Sequence, residues 1–88
     1  MKPINVGSGN IVFAERIIAV ISPEAAPIKR LITEAKDRGM CIDASCGKKT
    51  KSIIVMDSDH VVLSSVSIEL LSRRMGAVEI EDSEELNK

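Results

Sequence analysis

The chain has 88 residues, which is near the lower limit for a domain stabilised by one hydrophobic core. Aromatic residues make up 1% of it, from Phe13 alone, so binding of nucleic-acid bases by stacking on several rings is excluded. No apolar run approaches the ~20 residues of a membrane-spanning helix, and the first residues lack the apolar core of a signal peptide. The sequence therefore predicts a soluble, cytoplasmic protein.

The formal net charge of −1 conceals an uneven distribution along the chain. Residues 79–88 contain five acidic residues and one lysine, a net charge of −4, whereas residues 1–78 contain 8 acidic and 11 basic residues, a net charge of +3. We expect residues 1–78 to form a single domain that carries the binding and oligomerisation surfaces. Residues 79–88 are expected to form an acidic, disordered tail.

The first part of the chain is predicted to be β-structure. Residues 4–10 place two glycines after a short apolar run, which predicts a strand and a tight turn. The β-branched runs 11–13 and 17–21 predict two further strands. Gly7 and Gly9 are a weak indication of a phosphate-binding loop, because no third glycine follows at the required spacing.

The clearest helical pattern lies between Pro27 and Gly39. Pro27 suits a first helical turn, where its missing N–H has no partner to lose, and Gly39 is a typical C-terminal cap. Apolar residues recur at spacings of three and four and form one stripe: Ile28, Leu31, Ile32 and Ala35. A second, shorter helix is expected after Ser67, which can cap its N-terminus, and before Gly76.

Between the two helices, the sequence predicts three consecutive strands separated by two turns. The apolar or alternating runs are 41–46, 53–56 and 61–63. The break at 47–50 has the composition of a hairpin-like turn, and Asp57-Ser58-Asp59 forms the second turn. These elements together predict an α+β fold: a small antiparallel β-sheet domain with one main helix and a short C-terminal helix.

Two strands of the predicted sheet, 17–21 and 53–56, are apolar on both faces. In so short a chain this surface exceeds what one helix can cover, so we expect self-association. Cys41 and Cys46 lie an odd number of positions apart on a predicted strand and so point to opposite faces. They are interpreted as reduced thiols that act as small buried hydrophobic residues.

Asp57, Asp59 and His60 form the one cluster that resembles a catalytic or metal site. Aspartates at such a turn also satisfy free backbone N–H groups, and we favour this role. No nucleophile with a recognisable base partner is visible. The sequence therefore predicts neither an enzyme nor a bound metal or cofactor.

Three lysines fall within the four residues Lys48 to Lys51, interrupted by Thr50. Composition alone favours a solubilising turn, whereas the functional interpretation is that Lys48, Lys49 and Lys51 contact phosphates. About three phosphate contacts give weak, salt-sensitive binding, which repetition in a closed oligomer would strengthen. Arg16 is the one cation between Lys2 and Lys29 and is, by itself, interpreted as a surface or salt-bridged arginine.

Several uncommon phrases occur in a characteristic order: Gly9-Asn10-Ile11-Val12, Ser22-Pro23-Glu24, Ala26-Pro27-Ile28-Lys29-Arg30, Asp37-Arg38-Gly39-Met40, Ile42-Asp43-Ala44 and Met56-Asp57-Ser58-Asp59-His60-Val61. Together they resemble the RemA family of extracellular matrix regulatory proteins of spore-forming Gram-positive bacteria. The likeness runs from about Asn5 to Val66 and does not include the acidic tail.

The resemblance implies a transcriptional activator of biofilm matrix operons that binds double-stranded DNA at the nucleoid. It also implies a fold related to the LytTR DNA-binding domains and assembly into a homo-oligomeric ring. The DNA-contacting residues of the family correspond to Arg16, Lys48 and Lys49, with Lys51 as an addition. The family has Gly-Arg-Arg-Thr-Arg at this turn, whereas this chain has lysines, which keep the charge but lack the planar guanidinium fork.

A rival interpretation is an oligomeric scaffold that binds a protein partner, through Lys29 and Arg30 on the main helix. Retention on heparin that falls with salt would favour the DNA-binding interpretation over this one.

Overall fold

A computed structural model of the chain describes residues 1–76. The predicted acidic tail, 79–88, and the last two residues of the predicted domain lie outside the described residues. The elements are β1 (Pro3–Gly7), β2 (Asn10–Phe13), a 3-10 turn (Ala14–Arg16), β3 (Ile17–Ile21), α1 (Ile28–Asp37), β4 (Cys41–Asp43), β5 (Ser52–Met56), β6 (Val61–Ser64) and α2 (Ile68–Arg74). Neither helix within residues 1–76 is long and apolar enough to cross a membrane.

Within residues 1–76, six strands form two sheets. Strands β1 and β2 make an antiparallel hairpin, and the other four form a sheet in the order β3-β5-β6-β4. The β3–β5 and β5–β6 pairs are antiparallel, whereas β4 and β6 are parallel. The predicted α+β class with a main helix and a short second helix is confirmed, but the sheet is mixed rather than purely antiparallel.

The predicted hairpin between β4 and β5 is wrong, because β6 lies between these two strands. The tight turn at 57–60 makes β5 and β6 the hairpin, with Val55 opposite Val61. β4 then pairs with the remaining edge of β6, where Cys41 lies opposite Val61. A short turn joins only adjacent antiparallel strands, so residues 44–51 must instead cross the end of β6.

The two central strands of the four-stranded sheet, β5 and β6, are covered on both faces by the same chain. On one face, β1 and α2 pack against β5 and β6, in a cluster of buried residues: Ile4, Val6, Ala44, Ile54, Val62 and Leu71. On the other face α1 covers the sheet, and the buried residues are Ile28, Ala35, Ile53, Val61 and Leu63. Because the hairpin and α2 cover the second face, the apolar surface of β5 does not require a partner chain.

The ends of both helices follow the predicted signals. Pro27 immediately precedes α1, and Gly39 follows it with a φ of 69°, a left-handed conformation that glycine adopts without steric cost. The Ser67 hydroxyl oxygen accepts a hydrogen bond from the backbone N–H of Leu70 and caps α2.

The cysteine prediction is confirmed in part. Both cysteines are free thiols within the described chain. Cys41 is half-buried and packs against the α1-side cluster, but Cys46 is exposed because β4 ends at Asp43 and leaves it outside the sheet.

The two adjacent leucines of α2 provide a test of this packing. Leu71 is 1% exposed and Leu70 is 38% exposed, so only Leu71 fills space in the core. We expect Leu71→Ala to lower the free energy of unfolding by about 2–5 kcal/mol, because it removes buried methyl groups and leaves a cavity. The matched control Leu70→Ala should lower it by less than about 1 kcal/mol. Urea unfolding followed by circular dichroism at one fixed protein concentration measures both, and equal losses would contradict the packing of α2.

Candidate nucleic-acid interface

Residues 44–51, here called the basic connection, carry Lys48, Lys49 and Lys51, and all three side chains are exposed. The connection begins with a tight turn, in which the backbone N–H of Lys48 donates to the carbonyl oxygen of Ser45 at 3.0 Å. Both central residues of this turn have positive φ, 52° at Cys46 and 82° at Gly47, which is the pattern of a type I′ turn. The lysines follow this turn directly.

Both ends of the basic connection are attached to the end of β6. The backbone N–H of Ala44 donates to the carbonyl oxygen of Leu63 at 2.8 Å, and the backbone N–H of Lys51 donates to the carbonyl oxygen of Ser64 at 2.7 Å. The connection therefore spans two strand spacings, about 10 Å, instead of turning back on itself. The lysines are held across the end of β6, not at the tip of a free hairpin.

Three buried serines lie at the base of the basic connection, and sequence reasoning missed them. Ser45, Ser52 and Ser64 are the buried polar residues of the described chain. The Ser52 hydroxyl donates to the carbonyl oxygen of Val66 at 2.8 Å, and the Ser64 hydroxyl donates to that of Val6 at 2.7 Å. Since a buried hydroxyl without a partner is destabilising, these bonds fix the strand ends that hold the lysines. In the sequence, the signal that could have revealed them is a serine at one end of each of two apolar runs: Ser52 before Ile53 and Ser64 after Leu63.

Asp43 orders the first turn of the basic connection. Its Oδ1 accepts hydrogen bonds from the Ser45 hydroxyl and, at 2.9 Å, from the Ser45 backbone N–H. These bonds stabilise the carboxylate and lower the pKa of Asp43. The carboxylate is the form that holds the turn.

A shallow groove separates the basic connection from α2 and from the segment after β3. Its lining includes Lys49 and Lys51 but also Glu24 and Glu69. Two carboxylates in the groove repel a polyanion, so phosphates are favoured at the exposed lysine ends and not at the groove floor.

Arg16 ends the 3-10 turn just before β3 and forms an ion pair with Asp57. Its Nε lies 2.9 Å from Oδ1 and 2.7 Å from Oδ2 of Asp57. The hydrogen bond to Asp57, together with the charge of that carboxylate, raises the pKa of Arg16. The salt-bridged interpretation of this arginine is therefore correct for its local contact. Both side chains remain about half exposed, so the pair is open to a ligand.

The structure does not bring Arg16 and the lysines together within one chain. Ile17 lies opposite Met56 and Ile21 lies opposite Ile53, so Arg16 is beside the end of β5. Lys51 directly precedes β5. At about 3.3 Å per residue, the length of β5 separates Arg16 from Lys51 by about 20 Å along the sheet. The sequence-predicted site consists of two separate cationic regions.

The cluster at Asp57, Asp59 and His60 forms the turn of the β5–β6 hairpin. The backbone N–H of Asp57 donates to the carbonyl oxygen of Arg16, and the backbone N–H of Asp59 donates to the carbonyl oxygen of Met56 at 3.0 Å. The Asp59 backbone has a φ of 72°, and the His60 Nδ1 lies 2.7 Å from the Ser58 hydroxyl. In residues 1–76 no group of three or more histidine, cysteine, aspartate or glutamate side chains is arranged to hold a metal ion.

These features define a small α+β protein with a basic connection that is hydrogen-bonded to β6 at both ends and a separate, exposed arginine. The sequence profile of the RemA-like family, described as extracellular matrix regulatory protein A-like, matches residues 4–75. The chain therefore belongs to this family, and the resemblance predicted from its phrases is confirmed.

Individual relatives match over nearly the whole chain. A protein of Natranaerobius thermophilus is 52% identical over 87 residues, which cover 99% of this chain and 98% of the relative. One of Clostridium perfringens is 53% identical and covers 96% of this chain and 98% of its own length. One of Desulforamulus reducens is 60% identical over 75 residues, 85% of this chain and 83% of the relative. The names of all three include the words "regulatory protein".

The contact between Asp43 and Ser45 predicts a measurable titration. Because the folded-state pKa of Asp43 is lowered, its contribution to the order of the turn is complete above the ordinary aspartate pKa and is lost as the pH falls through the folded value. We expect the Asp43 carboxyl carbon, followed by NMR, to titrate below the ordinary range. In Ser45→Ala, which removes the hydroxyl donor, the midpoint should rise toward the ordinary value. As a control, the same substitution should leave the titration of Glu15 unchanged, because the pKa of Glu15 is lowered by a hydrogen bond from the backbone N–H of Lys2, which does not involve Ser45. An unmoved Asp43 midpoint would contradict the assigned cause.

Proposed function

We propose that this protein is a DNA-binding transcriptional regulator that activates biofilm extracellular-matrix operons as a homo-oligomeric ring. It acts in the cytoplasm, in association with the nucleoid. Membership in the RemA-like family supports a regulatory role. A relationship of its fold to the LytTR DNA-binding domains is part of this proposal. No catalytic step is needed for this activity.

The observation that carries the proposal is the basic connection. Lys48, Lys49 and Lys51 are exposed on a segment whose two ends are hydrogen-bonded to β6. The backbone N–H groups of Lys48 and Lys51 are hydrogen-bonded, so binding a phosphate there mainly orders the side chains, which lowers the entropic cost of each contact. Their ammonium groups suit phosphate oxygens of the DNA backbone, which are contacted without sequence preference.

One subunit alone would bind DNA weakly. Three lysines neutralise about three phosphates, and this corresponds to a modest, strongly salt-dependent affinity. In a ring, each neighbouring subunit adds its own basic connection to the same duplex, and the later contacts form at a high effective concentration. Assembly is therefore the step that allows the charge of the basic connection to bind DNA tightly.

Surfaces for assembly remain after the core is covered. β3 and β4 are the edge strands of the main sheet. Ile18, on β3, is 64% exposed at an irregularity where the register shifts between Ile17 and Ala19. Exposed apolar side chains on edge strands favour contact with another subunit over solvent.

DNA affinity measured against salt concentration tests the proposal. The wild type should show a steep decrease in affinity with salt, because many phosphates are neutralised around the ring. Lys48→Ala/Lys49→Ala should bind more weakly by at least about tenfold and show a flatter salt dependence, since each subunit loses about two contacts. Oligomer mass, recorded by light scattering in the same samples, should be unchanged.

The matched control is Lys29→Ala/Lys36→Ala, which removes the same charge from the exposed face of α1. It should keep most of the wild-type salt slope. Weak binding by all three proteins with intact oligomers would overturn the proposal and favour a scaffold for a protein partner. Monomeric wild-type protein would overturn the ring.

A further inference from the structure

The contact between Arg16 and Asp57 uses one side of the guanidinium group. Both carboxylate oxygens of Asp57 accept from Nε, and within residues 1–76 the two terminal nitrogens of Arg16 have no hydrogen-bond partner. These two nitrogens lie at the end of the planar group away from the Cδ stem. The carboxylate therefore binds the guanidinium group at Nε and leaves the N–H groups of its two terminal nitrogens available to a ligand.

The ion pair lies beside a partly apolar depression. Arg16 and Asp57 border a shallow depression whose lining also includes Phe13, Ile42 and His60. Phe13 and Ile42 are apolar and remain 41% and 48% exposed. A large ligand that covers this depression displaces water from the ion pair, and a hydrogen bond is electrostatically stronger where water is excluded.

We propose that Asp57 is a positioning residue for DNA recognition, which fixes Arg16 so that its two terminal nitrogens present parallel donors to one pair of acceptors on the duplex. The acceptors are either O6 and N7 of a guanine or two oxygens of one phosphate, because both pairs match the planar fork. This inference rests on the proposed DNA-binding function and assigns different roles to the two cationic regions. The lysines of the basic connection supply charge, and Arg16 supplies the geometrically fixed contact that lysine cannot make.

Positioning and simple neutralisation predict opposite results. If Asp57 only offset the charge of Arg16, its removal would strengthen binding, because each subunit would become more positive. If Asp57 holds the fork, its removal frees the guanidinium to adopt many orientations, and each specific contact must then order it again. Binding then weakens although the net charge is more favourable.

The ion pair can be removed without unfolding the protein. Its two side chains are 50% and 43% exposed, and exposed pairs contribute little to stability. The backbone N–H of Asp57 donates to the carbonyl oxygen of Arg16 at 2.8 Å, and this bond does not depend on the carboxylate. Asp57→Asn should therefore keep the hairpin and the 3-10 turn in place.

Asp59→Asn is the matched control. Asp59 is exposed, lies in the same turn and has no side-chain hydrogen bond to Arg16. Its φ of 72° suits asparagine as well as aspartate, so the substitution changes the charge without strain. The two variants differ in whether the lost carboxylate held Arg16.

The experiment measures affinity for two duplexes: one that the wild-type protein enriches from a randomised pool, and a scrambled duplex of equal length. We expect Asp57→Asn to bind the enriched duplex about three- to tenfold more weakly than wild type, within the range of one bidentate contact. Asp59→Asn should bind as tightly as wild type or more tightly. Arg16→Ala/Asp57→Asn should bind as tightly as Arg16→Ala or more tightly, because Asp57 acts through Arg16 and, without it, loss of the carboxylate only raises the positive charge.

The two acceptor sources give different patterns. A loss confined to the enriched duplex assigns the contact to a guanine, and an equal loss on both duplexes, with a reduced salt slope, assigns it to a phosphate. Asp57→Asn binding as tightly as Asp59→Asn would overturn the inference, and so would a further loss in the double variant. If wild-type protein binds neither duplex in a salt-sensitive manner, the proposed function itself fails. If instead the wild type binds normally and Asp57→Asn has the same affinity as the wild type, only the positioning role of Asp57 fails.

Discussion

The parallel pairing of β4 with β6 is the constraint on which the rest of this structure depends. Because β4 occupies the outer edge of β6, the chain cannot return to β5 by a tight turn and must cross the end of β6. This crossing creates the basic connection and attaches both its ends to the last residues of one strand. A mobile hairpin tip with the same three lysines would have the same charge but would lose more conformational entropy on binding.

The buried serines show how this crossing is stabilised. Strands β5 and β6 are buried on both faces, so polar groups at their ends must be satisfied inside the protein. Ser52 and Ser64 bond to backbone carbonyls of neighbouring segments and are 0% exposed. The hydrophobic core and the cationic surface thus meet at these residues, and the order of the surface depends on the packing beneath it.

Two kinds of cationic group are placed at opposite ends of β5. The lysines precede the strand and are exposed, whereas Arg16 lies beside its other end and is held by Asp57. An ammonium group interacts with phosphate as a point charge, but a guanidinium group fixed at Nε has a defined direction. In the proposed DNA complex, the separation of about 20 Å along the sheet places the two regions of one subunit on different stretches of the duplex.

The sequence by itself determined the local elements and the family. The apolar stripe of α1, the Gly39 and Ser67 caps and the runs of β2, β3, β5 and β6 are local patterns, and each forms as predicted. Family membership followed from ordered phrases. Strand pairing was decided by the tertiary structure, because the alternation of apolar and polar residues indicates which face of a strand is buried but not which strands pair with it. The same holds for the buried faces of β5 and for the end of β4 at Asp43. It also holds for the partners of Arg16, Ser52 and Ser64, which lie 41, 14 and 58 residues away in the chain. Long-range contacts of this kind arise only when the sheet assembles, and local sequence does not encode them.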